Sequence, residues 1–187
     1  MQVEQPDPVP AIAARLKEER EARRWSLAEL AARSRVSKAM ISKIERCETS
    51  PTATVLGRLS GAFGLPLSAL LILAEQSSDR LSLHQEQPLW HDPQTGYTRR
   101  AVSPSGAAAE VIQVELPPGV RVPYPASAFA FQQQQIWVLS GLLEFQEGEI
   151  LHRLGQGDCL LLGSPRDCVF RNVGDDPVRY AIVLVRR

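Results

Sequence analysis

The chain has 187 residues, 44% of them hydrophobic, and no net charge, with 21 Lys+Arg against 21 Asp+Glu. That is enough apolar material for one medium domain or two small ones, and it excludes a disordered chain. The longest apolar runs, such as 67–74 and 159–163, fall far short of the roughly 20 residues of a membrane helix, so no membrane partner is expected.

The first ten residues carry Glu4, Asp7 and three prolines. They have neither a basic nor an apolar stretch, so no secretory signal and a cytoplasmic location are expected. Cys47, Cys159 and Cys168 form no CxxC and no even framework, which suits reduced thiols. The zero net charge hides an asymmetry. Between Arg15 and Arg58 there are 11 Lys+Arg against 6 Asp+Glu, and the remainder holds 10 against 15. A basic segment joined to an acidic remainder suggests a nucleic-acid module attached to something else.

The first 75 residues repeat at helical spacing. Ile12 and Leu16, then Leu27, Leu30 and Ala31, then Ile41 and Ile44, then Val55, Leu56, Leu59 and Phe63 form successive stripes. Ser26 precedes Leu27-Ala28-Glu29 in capping-box spacing. Ser37 and Thr52 can cap the next helices, Gly64 ends the fourth, and Pro66 cannot continue it. About five short helices are predicted.

Residues 75–99 are rich in Ser, Gln, Pro and His and read as a connector that runs into the first strands of the next domain, with Trp90 as an anchor. From about Arg100 the punctuation is that of strands. Runs at 111–116, 136–145, 158–162 and 178–185 are separated by turn signals such as Pro117-Pro118-Gly119, Glu147-Gly148 and Gly174-Asp175-Asp176-Pro177. Many short strands predict a sandwich or barrel, and the lack of strand–helix alternation excludes a doubly wound sheet.

Residues 25–46 carry the most specific signal. Ala31 supplies the small residue where two helices cross, Val36 closes the turn, and Ile41 and Ile44 face inward. Lys38, Ala39, Ser42, Lys43 and Arg46 then share the opposite face at spacings of 3 and 4. Such a face fits the major groove, where Lys38 and Lys43 can donate to guanine, Ser42 can meet either base type and Ala39 can touch a thymine methyl. Arg35 and Arg46 suit phosphates, which position without reading sequence.

This stretch resembles the phage-repressor-like (XRE family) helix-turn-helix, over about residues 9–73. The resemblance implies base contacts at Lys38, Ala39, Ser42 and Lys43, and positions close to phosphates at Ser26, Leu27 and Arg46; Ser37, at the cap of the recognition helix, joins Arg35 among the DNA-binding candidates. It also implies a structural ion pair between Glu45 and Arg20. Leu27 stands where the family usually has a glutamine, so the phosphate hydrogen bond of that glutamine is not expected.

The second half shows Pro118-Gly119, then Trp137 to Phe145 around Gly141, then Gly157-Asp158 through Pro165 to Phe170-Arg171-Asn172. In this order the motifs resemble those of cupins, over about residues 111–185. The resemblance implies an α+β multidomain chain: an all-α five-helix helix-turn-helix domain (9–74), a connector (75–99) and an antiparallel β-barrel of the cupin, or jelly-roll, type (100–187). Metal-binding cupins supply a His-x-His pair, a Glu and a later His. Here those positions fall on Ser127 to Ala130, Gln134 and Cys168, a set unsuited to a divalent ion, so neither a metal nor another cofactor is expected.

A barrel can still hold a small effector. Alternation places Gln132, Gln134, Ile136 and Val138 on one face, and buried amides need partners. The candidate effector residues are Gln132 and Gln134 as hydrogen-bonding groups, Tyr124 and Phe129 as covers, Arg121 for a carboxylate, and Cys168 and Phe170 at inward positions. Cys168 also fits a small buried hydrophobe. The leading expectation is a DNA-binding transcription regulator, dimeric and ligand-responsive, on an operator of double-stranded DNA. A metal-dependent cupin enzyme carrying a helix-turn-helix domain, and a barrel that only dimerises the chain, are the alternatives.

Overall fold

The computed structural model describes residues 9–71, 80–104, 107, 109–130 and 132–186. The expected end of the helical domain at Ala74, the start of the connector at 75–79, and the first eight residues lie outside them.

Five helices come first: α1 (Val9–Ala22), α2 (Leu27–Ser34), α3 (Lys38–Glu45), α4 (Ala53–Phe63) and α5 (Leu67–Leu71). The starts of α2, α3 and α4 and the end of α4 have local causes. The Ser26 hydroxyl accepts from the Glu29 N–H, and the Glu29 carboxylate accepts from the Ser26 N–H at 2.6 Å. Ser37 accepts from the Met40 N–H, and Thr52 accepts from the Val55 N–H. Such caps contribute about 1 kcal/mol each. Gly64 closes α4 in the left-handed region at φ 71°.

The helices share a core of Ile12, Leu16, Leu30, Val36, Ile41, Ile44, Leu56 and Leu59, all buried. Trp25 stacks on Phe63 with ring centroids 5.8 Å apart, and Arg33 lies 4.4 Å over the Trp25 ring. No described helix is long and apolar enough to cross a membrane.

Ten antiparallel strands follow, in two sheets. β1 (Leu89–His91), β2 (Thr98–Ala101), β3 (Ala109–Leu116), β5 (Gln132–Ser140), β8 (Cys159–Leu161) and β10 (Val178–Arg186) make one, in the order β1-β2-β3-β10-β5-β8. β4 (Arg121–Tyr124), β6 (Leu143–Glu147), β7 (Ile150–Leu154) and β9 (Cys168–Asn172) make the other, in the order β4-β9-β6-β7. The sheets face each other over a common core in which Phe170 of one stacks on Tyr180 of the other at 5.7 Å.

The expected closed barrel is not formed: the described ladders end at the edges of two separate sheets. The edges explain this. β1 and β8 have three residues each, and edge strand β4 contains Pro123, which has no N–H to offer a further strand. The β domain also begins earlier than Arg100. β1 and β2 form within and just beyond the stretch whose composition reads as connector, and Trp90 is buried there edge-on to Tyr97 at 6.1 Å.

The two domains touch directly. Asp92 accepts from the Ala53 N–H at 2.6 Å, capping the start of α4 from the β domain. α4 lies on the 3-10 turn at Ala126–Phe129, and the approach requires small residues. A Cβ on Gly57 would come within 2.5 Å of the Tyr124 ring, and one on Gly61 within 2.2 Å of the Ser127 Oγ.

Candidate nucleic-acid interface and domain-joint cavity

α1 and α3 are tied together by a largely buried ion pair. Arg20 Nε donates to Glu45 Oε1 at 2.7 Å, Nη2 to Oε2 at 2.8 Å, and Nη1 to the Trp25 carbonyl at 3.0 Å. The pairing implied by the family resemblance is therefore present. It raises the Arg20 pKa, chiefly through the Glu45 hydrogen bonds.

With Ile41 and Ile44 turned inward, α3 presents its opposite face to solvent. Lys38, Ala39 and Lys43 are exposed and Ser42 is half-buried. Neither lysine has an ion-pair partner among the described residues, nor does Arg35. Arg35 ends α2 in the left-handed region at φ 56°, a conformation that costs a side chain about 1 kcal/mol or more. The turn thus holds an exposed cation at a position that glycine would fill more cheaply.

Other residues named from the sequence have local partners. Ser26 and Ser37 spend their hydroxyls on caps, and Leu27 is half-buried at the start of α2. Arg46 forks onto Glu48, Nε to Oε1 at 2.6 Å and Nη2 to Oε2 at 3.0 Å, and also donates to Ser42 at 2.5 Å. A phosphate must displace Glu48 to reach it. Sequence reasoning passed over Met40, which is 38% exposed on the same helix.

The second feature is a narrow cavity where the domains meet. Tyr124, Phe129, Gln132, Gln134 and Phe170, all named from the sequence, line it together with Ile182 and Leu184. So do Leu67 and Ser68 of α5, and Arg99 of β2. The volume open to water-sized molecules is about 20 Å³, room for about one water. In β5, Gln132 and Gln134 are buried while Gln133 and Gln135 are exposed, as period 2 requires. Gln132 Nε2 donates to the Ala128 carbonyl at 3.2 Å, and its Oε1 has no donor among the described residues.

Arg121 and Cys168 are not in the cavity wall. In β4, Val122 and Tyr124 point inward, so Arg121 points out, opposite Arg171 of β9. Arg121 and Tyr124 are three positions apart on β4, so their side chains leave opposite faces and the expected effector contact of Arg121 is not made at this cavity. Cys168 is buried at another level of the core, its thiol donating to the Arg166 carbonyl at 3.2 Å. Burial pushes its pKa up to about 12, aided by Glu147 and Asp167.

The cation of the cavity is Arg99, which lies at the end of the stretch whose composition suggests a connector. Its signal was alternation: Tyr97 and Arg99, two apart, both face inward. Arg99 Nη1 donates to the Tyr97 hydroxyl at 2.8 Å, and that hydroxyl lies 3.3 Å from the one on Tyr124. Burial opposes the Arg99 charge, but the oxygens of Tyr97, Tyr124 and Tyr180 outweigh it and raise the pKa. Burial in turn pushes the Tyr124 and Tyr180 phenols well above their ordinary value.

A divalent metal of the cupin kind does not fit here. The donors are amides and phenols, and a guanidinium already supplies positive charge. No group of three or more His, Cys, Asp or Glu suited to a metal occurs among the described residues.

Comparisons with known proteins agree with both halves. The helix-turn-helix family HTH_3 matches residues 16–70. The HTH-type transcriptional regulator SutR of Escherichia coli (strain K12) is 31% identical over 106 residues, covering 53% of this chain and 60% of that protein. The chain therefore matches less than two thirds of this relative. The crystal structure of an HTH_3 family transcriptional regulator from Vibrio cholerae superposes with a TM-score of 0.75 at 26% identity, covering 97% of this chain and 100% of that one. Residues 16–70 thus match the helix-turn-helix family HTH_3, and the helical domain and the two-sheet antiparallel domain together follow the fold of that regulator.

Proposed function

We propose that this protein is a sequence-specific DNA-binding transcription regulator whose β domain senses a small molecule. The observation that carries the reading is the outer face of α3, where Lys38 and Lys43 stand exposed beside Ser42, with no ion-pair partner among the described residues, on a helix whose inner face is locked into the domain core. Two exposed lysines on a helix of that geometry suit guanine edges, and Arg35 in the preceding turn suits a phosphate.

A dimer fits the second half. Trp137 and Leu161 are 49% and 52% exposed on adjacent strands β5 and β8, on the face away from the core. Large exposed apolar groups on one sheet face favour a second copy as their cover. Two copies would present two recognition helices to half-sites spaced about one helical turn, or a multiple of it. The β domain is read as a binding module and not an enzyme, because among the described residues its cavity offers no group of metal ligands and no serine or cysteine paired with a histidine.

Selection of duplexes from a random pool, followed by footprinting, tests this. The expected result is a pseudo-palindromic site bound with a Kd that rises steeply with salt. Lys43→Ala should weaken that site about 10- to 100-fold, with helical circular dichroism unchanged. No sequence preference, or wild-type affinity in Lys38→Ala/Lys43→Ala, would sink the proposal.

A further inference from the structure

Arg99 is 6% exposed, yet among the described residues no carboxylate forms an ion pair with it. Among the described residues its guanidinium donates to the Tyr97 hydroxyl and interacts with that of Tyr124, while its Nε–H finds no acceptor. A guanidinium stays charged in a protein, and burying such a charge without a counter-ion is expensive. The groups beside it are neutral. Gln132 Oε1 is buried with no donor among the described residues, and the Gln134 side chain, 6% exposed, lines the same cavity. Ser68 is committed to Glu110, donating to its carboxylate at 2.5 Å.

The geometry points to a binding site for a small anionic group, a carboxylate or a tetrahedral oxyanion, with Arg99 as its counter-ion and Tyr97, Tyr124 and Gln134 as its hydrogen-bonding neighbours. This inference rests on the small-molecule sensing proposed above and names the chemistry of the effector. The Nε–H belongs to the side-on edge of the guanidinium, which an oxyanion can engage through two parallel hydrogen bonds.

The location supplies the coupling. Leu67 and Ser68 of α5 form part of the cavity wall, and Tyr124 packs on Gly57 of α4. The cavity as it stands has room for about one water. Any larger anion therefore moves Tyr124 or α5, and so the seat of the helix-turn-helix domain. Anion affinity and the relative placement of the domains become one equilibrium.

The test uses the full chain and three probes: sodium acetate, sodium sulfate, and acetamide as the neutral analogue of acetate. Ionic strength is held constant with sodium chloride. The expected result is a saturable rise in Tm with acetate or sulfate, about 3 °C at tenfold excess over Kd, and none with acetamide. Saturation separates site binding from the general stabilising effect of sulfate. A response to acetate alone assigns a carboxylate, and one to sulfate alone assigns a tetrahedral oxyanion.

Arg99→Met should abolish the response to either anion. Arg99→Lys, which keeps the charge but loses the fork, should bind at least tenfold more weakly. The inference is overturned if neither anion acts beyond chloride, if acetamide matches acetate, or if Arg99→Met retains the response. The wild-type comparison decides it even where a variant fails to fold. DNA binding is measured separately, so a protein that binds DNA but no anion loses only this inference, and one that binds anion but no DNA loses only the regulator reading.

Discussion

Tyr124 belongs to the β domain, yet its ring occupies the space that a side chain on Gly57 would need, with Cδ1 only 2.5 Å from the Cβ position. The same residue places its hydroxyl 3.3 Å from that of Tyr97, which in turn accepts from Arg99. One side chain therefore spans from the helical domain to the polar centre of the β domain.

Gly57→Ala tests how tight that joint is. In a free helix interior the change would stabilise by about 1 kcal/mol. Forcing a methyl group against a buried ring costs about 1–3 kcal/mol. The clash should win, because the Tyr124 ring is boxed in by Phe129 and Phe170 at centroid distances of 6.3 and 5.9 Å. Urea denaturation should show a net loss of about 1 kcal/mol. A gain in stability would mean that the domains part freely.

Glu45→Ala should be much more damaging. It strands Arg20, whose side chain is only 12% exposed, beside the Trp25 carbonyl. Removing one partner of a pair this buried costs about 2–4 kcal/mol. Replacing both residues with apolar ones of similar size should cost far less, since no charge is then left alone. Equal losses in the single and double variants, by denaturant titration, would show that packing and not charge explains the effect.

Much of the helical half was legible because its signals are local. Ser26, Ser37, Thr52 and Gly64 each act within one turn of their own position, and all four cap as read. The alternation of Gln132 and Gln134 was equally local. What escaped reading depends on distant pairing. Arg99 lies in a polar stretch that becomes strand only because β3 pairs with it, Arg99 opposite Val114. Gly57 and Gly61 look like weak spots in a helix until Tyr124 and Ser127 arrive from about 67 residues away. Arg121 shows the opposite failure: its charge suggested a ligand contact, but a one-residue difference in parity turns it to solvent.

The cysteines should differ sharply in reactivity. Cys47 and Cys159 are exposed, while Cys168 is buried with its pKa near 12. At pH 8 a thiol of that pKa is about one ten-thousandth thiolate, the reactive form. Iodoacetamide should label Cys47 and Cys159 in the native protein and reach Cys168 only in denaturant. The sign of the linkage follows. The folded chain holds this proton more tightly than the unfolded one, so the contribution is complete below the ordinary thiol pKa of 9.0 and is lost as pH rises toward 12. Rapid native labelling of Cys168, read by peptide mass spectrometry, would refute its burial.

Glu48 should act as a brake on DNA binding. Its carboxylate takes the Nε and Nη2 donors of Arg46, the same fork a phosphate would use. The pair is exposed, and its mutual hydrogen bond raises the Arg46 pKa and lowers that of Glu48. Exposed pairs contribute little to stability, so Glu48→Gln should leave Tm nearly unchanged. It should free Arg46 and remove a negative charge near α3. Affinity for any duplex should then rise several-fold at low salt, and the slope of log Kobs against log salt should steepen by about one. The gain should be the same for operator and random DNA, because a phosphate contact carries no sequence information. Fluorescence anisotropy on two duplexes across a salt series measures both quantities. A gain confined to the operator would instead place Arg46 at a base edge, and no gain at all would remove it from the interface.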